Sequence, residues 1–63
     1  MNEYSLKDEL IGLTIAEFVN LYHNQNYRIV KENDESYVVT MDFRPDRINF
    51  EIYNGIITDL HLG

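Results

Sequence analysis

The chain has no cysteine, so it can form neither a disulfide nor a thiolate metal site. That absence also suits the reducing cytoplasm. No uninterrupted apolar run approaches the roughly 20 residues that a membrane-spanning helix needs. The opening "MNEYSLKDEL" is polar and acidic, without the basic and apolar regions of a secretory leader, so a cytoplasmic location is expected. Basic residues are scarce: five Lys and Arg stand against eleven Asp and Glu, for a formal charge of −6. Such a surface repels the phosphates of nucleic acid and of anionic membranes, and neither is expected as a partner.

Sixty-three residues make one domain, 1–63. A chain of this size buries only about 60% of its unfolded surface, so its stability must come from a small core and from hydrogen bonds. Residues 1–9, rich in charge, are expected to be flexible or loosely packed.

The clearest local signal is "LTIAEF". Thr14 can cap a helix and Glu17 can reach back to it, while Leu13 and Phe18 occupy the staple positions. Ile15, Phe18, Val19 and Tyr22 recur at helical spacing, which predicts a helix from about 15 to 24 that ends in "HNQN". "YRIVKE" at 27–32 reads as a strand. "RINFEIY" at 47–53 alternates, with Ile48, Phe50 and Ile52 on one face and Asn49, Glu51 and Tyr53 on the other. Asn54-Gly55 predicts a tight hairpin into a last strand at 56–62. Phe18, Ile29, Ile48, Phe50 and Ile52 are the predicted core.

Residues 33–46, "NDESYVVTMDFRPD", remain as a long connection. Connections of this length in a small domain are commonly functional or disordered. Val38, Val39, Met41 and Phe43 are not the composition of a flexible linker. Pro45 restricts itself and pushes Arg44 toward extended geometry. An ordered, extended loop carrying apolar groups outward is one reading. An ordinary strand over "SYVVTMDF", with Tyr37, Val39, Met41 and Phe43 on one side, is the other.

"LIG" before the cap, "T-x-x-E" at the helix start, "VTMDFRPDR" in the loop and the closing "LG" occur in one order. With these, the chain from about Leu10 to Gly63 resembles the potato inhibitor I family of serine protease inhibitors. It is more similar to that family's small bacterial relatives. The resemblance implies an α+β fold, a single helix packed on a small three-stranded mixed sheet. A long extended loop would join two parallel strands, which require a long connection.

The resemblance also implies a site. Val39, Thr40, Met41, Asp42 and Phe43 would form the protease-binding loop, with Met41 as the specificity side chain and Met41–Asp42 as the presented bond. Arg47 would brace the loop from below through Thr40 and Asp42, with Arg44 as a second support and Asn49 in the remaining bracing position. Plant members carry an arginine where this chain has Asn49, which leaves one anchoring cation fewer. "KENDES" is longer and more acidic than its plant counterpart, and the family's tryptophan ahead of the helix is absent.

No catalytic, metal or cofactor site is expected. His23 and His61 stand apart, Ser5 and Ser36 lack a nearby base, and "NDE" at 33–35 lacks calcium-loop spacing. Asp42 and Asp46 read as partners for Arg44 and Arg47. The expected partner is a subtilisin-like, chymotrypsin-like or elastase-like serine protease. Alternatively, the chain is a small cytoplasmic adaptor or regulator that binds another protein through the same fold.

Overall fold

A computed structural model describes residues 2–63. Two helices, α1 (Glu3–Leu10) and α2 (Ile15–Leu21), precede four strands: β1 (Tyr27–Glu32), β2 (Glu35–Ser36), β3 (Ile48–Tyr53) and β4 (Ile56–Leu62). The strands form one mixed sheet in the order β2-β1-β3-β4. β1 and β3 run parallel, and the outer pairs are antiparallel.

The N-terminal segment departs from expectation. Residue 1 lies outside the described residues, but residues 3–10 are helical rather than loose. Asn2 caps α1 by accepting hydrogen bonds from the amides of Tyr4 (2.9 Å) and Ser5 (3.2 Å). A helix this short is marginal alone and depends on docking. Leu6 and Leu10, one turn apart, enter the core. Lys7 pairs with Asp59 at 3.3 Å, and the Glu3 carboxylate accepts from the Leu62 amide at 2.9 Å. Gly12, at φ +100°, turns the chain from α1 to α2. Its amide donates to the Ile57 carbonyl at 2.9 Å, tying the turn to β4.

α2 begins with the reciprocal Thr14–Glu17 cap, at 3.1 and 3.0 Å. It ends at Leu21, earlier than the pattern predicts. Tyr22 leaves helical geometry, and the Gln25 side chain instead donates to the Asp46 carbonyl at 2.5 Å. Phe18 is fully buried among Phe50, Tyr27 and Tyr22, with ring centroids 4.8, 5.2 and 5.6 Å away. Val19, part of the expected apolar stripe, is exposed.

Phe18 joins Leu6, Leu10, Ile48, Phe50, Ile52, Ile57 and Leu60 in one core. Ile29, expected inside, is only partly buried against it. The sheet also has a fourth strand that pattern reading missed. Asn33 (φ 50°) and Asp34 (φ 69°) form a tight turn, and Glu35–Ser36 folds back on β1. Asn and Asp tolerate this left-handed geometry better than other side chains. The 33–46 connection therefore starts as a hairpin, and the loop proper begins at Tyr37. The Tyr37 amide still donates to Val30 at 2.9 Å, but residues 37–43 form no strand.

Candidate functional site

The loop leaves the hairpin at Tyr37 and re-enters the sheet at Ile48, the first residue of β3. Its return is a tight turn across Pro45, closed by the Arg47 amide on the Arg44 carbonyl at 3.0 Å. Between these points the apolar side chains face solvent. Met41 is 97% exposed, and Val38 and Phe43 are also uncovered. Burying a methionine side chain is worth about 1.5–3 kcal/mol, so the fold gains nothing from where it places Met41.

The polar side chains beneath the loop behave oppositely. Arg47 and Asn49 are two residues apart, so they share the face of β3 opposite Ile48 and Phe50. Both are buried. Arg47 Nη2 donates to the Asp42 carbonyl at 2.8 Å, its Nη1 approaches the Asp42 carboxylate at 3.5 Å, and its Nε donates to the Gly63 carbonyl at 2.9 Å. One guanidinium thus ties the loop to the end of β4. Charge-assisted bonds of this kind are the stronger class of hydrogen bond.

The Asp42 carboxylate gathers three donors. The Thr40 hydroxyl donates to Oδ1, Arg44 Nε donates to Oδ2 at 2.9 Å, and Arg47 lies beyond. Chiefly the Thr40 hydroxyl, then the Arg44 and Arg47 guanidiniums, hold this carboxyl well below the usual carboxylate range. The bracing is therefore present at neutral pH in its charged form.

Several expected roles change. Thr40 accepts nothing from Arg47; it accepts instead from Arg28 Nη1, at 3.3 Å on the hydroxyl oxygen and 3.4 Å on the carbonyl. Asp46 contributes its backbone carbonyl to Gln25, and its carboxylate bonds neither arginine. Arg44 braces from within the loop and is itself exposed. Asn49 makes no hydrogen bond to the loop. Its Nδ2 donates to Gly63 (3.0 Å) and His61 (3.2 Å), and its Oδ1 accepts from Arg28 Nε at 2.5 Å.

Sequence reasoning missed Arg28 and the Gly63 carbonyl. The register of β1 on β3 pairs Arg28 with Asn49, so the contact could be read once the parallel pairing was assumed. Asn49 is uncharged, and Arg28 brings a cation against it from the neighbouring strand.

A hollow of about 300 Å³ separates the loop from the ends of β3 and β4. Arg28, Val39, Met41, Phe43, His61 and Leu62 are among its walls. Among the described residues no cluster of His, Asp and Glu is arranged to hold a metal ion. No helix among them is long and apolar enough to cross a membrane.

No family model, no curated protein and no solved structure matches this chain.

Proposed function

We propose that this protein is a reversible, substrate-like serine protease inhibitor of the potato inhibitor I type. One observation carries the reading: a fully exposed Met41 stands beside Asp42, whose carbonyl and carboxylate are both held by side chains. Proteases bind a substrate backbone across their cleft and take one side chain into a deep pocket. A loop held in place before binding loses less entropy than a free peptide.

Met41 enters the specificity pocket, with Val39, Thr40, Asp42 and Phe43 alongside. The enzyme's serine oxygen adds to the Met41 carbonyl carbon, and the Met41–Asp42 C–N bond breaks. Asp42 leaves as an amine that takes its proton from the catalytic histidine. Arg47 keeps that amine near the ester, so the reverse attack competes with water. A flexible apolar methionine suits subtilisin-like, chymotrypsin-like and elastase-like pockets rather than trypsin-like ones. The chain itself contributes no catalytic residue and needs no cofactor. A cytoplasmic site of action belongs to the same proposal.

The test is titration of folded protein against subtilisin, chymotrypsin, elastase and trypsin at stoichiometric ratios. Tight inhibition of one or more of the first three, with slow loop cleavage at Met41–Asp42, is the expected result. Absence of inhibition in a well-folded sample would overturn it. The exposed Val38, Met41 and Phe43 would then mark a contact surface for another protein.

A further inference from the structure

We infer that Arg28 is a second positioning residue for the loop. It holds the segment that precedes the Met41–Asp42 bond, while Arg47 holds the segment that follows it. The consequence for inhibition rests on the proposed function; the bracing itself does not.

The direction of each hydrogen bond supports this assignment. Asn49 is almost completely buried. Its two amide hydrogens go to the His61 and Gly63 carbonyls, so only its oxygen is left to face Arg28. That oxygen accepts from Arg28 Nε and sets the guanidinium's orientation. Nη1 is thereby aimed at Thr40, where it meets both the carbonyl and the hydroxyl oxygen. The Thr40 hydroxyl proton is committed to the Asp42 carboxylate, so toward Arg28 its oxygen can only accept. Asp42 in turn accepts from Arg44 and Arg47. The donors run inward from both sides and meet at Asp42, with the Met41–Asp42 bond between the two guanidiniums.

The two cations stand on parallel neighbours, Arg28 within β1 and Arg47 just ahead of β3. If the bond is cut, each new end keeps its own tether to the sheet. Loss of Arg47 frees the amine side, whereas loss of Arg28 frees the side that carries Met41. Arg28 is thus the group that keeps the acyl half in register with the amine.

The experiment compares the parent with Arg28→Met, which removes the guanidinium, and with Arg28→Lys, which keeps the charge but loses the rigid fork that faces Asn49 and Thr40. Amide exchange at Tyr37 and Arg47, whose N–H groups donate to the Val30 and Arg44 carbonyls at the two ends of the loop, reports loop order without any protease, and exchange at Phe50 and Ile57 serves as the folding control. Cleavage at Met41–Asp42 by subtilisin is followed by mass spectrometry. Arg28→Met is expected to raise loop exchange and cleavage by about tenfold, the effect of losing one charge-assisted bond, with core exchange unchanged. Arg28→Lys is expected to recover part of that loss. Should Arg28→Met also unsettle the core, Arg28→Lys decides: faster loop exchange over a parent-like core supports the assignment. Parent-like loop exchange in a folded Arg28 variant overturns it. A parent that inhibits no protease removes the proposed function, but the exchange data still decide the role of Arg28.

Discussion

The two faces of the sheet are held by different chemistry. On the helix side, Leu6, Leu10, Phe18, Phe50 and their neighbours exclude water without a polar partner. On the loop side, Arg28, Arg47 and Asn49 bind backbone carbonyls and one carboxylate. Apolar packing is non-directional and sets whether the chain folds. Hydrogen bonds are directional and set where one particular carbonyl sits. The contrast explains how a small domain can keep an apolar methionine in water: the face that positions it holds the neighbouring backbone by hydrogen bonds.

Substitutions on the two faces should therefore fail differently. The largest effect is expected from Phe50→Ala. It empties the centre of the aromatic cluster and should cost about 3–5 kcal/mol, measurable by chemical denaturation. In a domain this small, that loss approaches the whole stability. If Phe50→Ala unfolded only the loop, the division between faces would be wrong.

Arg47→Ala should come next. It removes bonds to Asp42 and Gly63, with a cost of roughly 1.5–3 kcal/mol for hydrogen bonds to a charged group. The domain should stay folded while amide exchange in the loop rises, and protease should cut the loop faster and release it. A variant that resists cleavage as well as the parent would remove Arg47 from its bracing role.

Acid gives a milder perturbation. Because the Asp42 carboxyl is held below its ordinary range, loop order should be complete above that range. It should be lost only as pH falls further, through the depressed value. Loop exchange, corrected for intrinsic rates, should be flat from neutral pH to about pH 4, the ordinary range for aspartate. Loosening that begins between pH 6 and pH 5, by order of magnitude above any carboxylate of this kind, would point to a different group.

How much of this was legible beforehand follows the same divide. The Thr14–Glu17 cap, the alternation of β3 and the Asn54-Gly55 turn are local signals, and the residues concerned sit where those signals put them. α1 was not legible in that way. Its eight residues carry more charge than apolar area, and its stability comes from Leu6 and Leu10 docking beside β4, a long-range event. β2 rests on two left-handed residues, Asn33 and Asp34, inside what reads as loop. Alternation put Asn49 on the face opposite Ile48 and Phe50, but it separates two faces without saying what covers the second. Arg28 required more still, since its role depends on the register between strands separated by the whole loop.

The most direct test of the account is Met41→Lys. Met41 is uncovered, so thermal unfolding should match the parent within about 0.5 kcal/mol, as for an ordinary surface substitution. Inhibition constants for parent and variant are then compared on subtilisin and on trypsin, whose pocket offers an aspartate to a cation. The account predicts weaker inhibition of subtilisin and new inhibition of trypsin from an equally stable protein. An unchanged preference between the two enzymes, or a variant that unfolds, would contradict it.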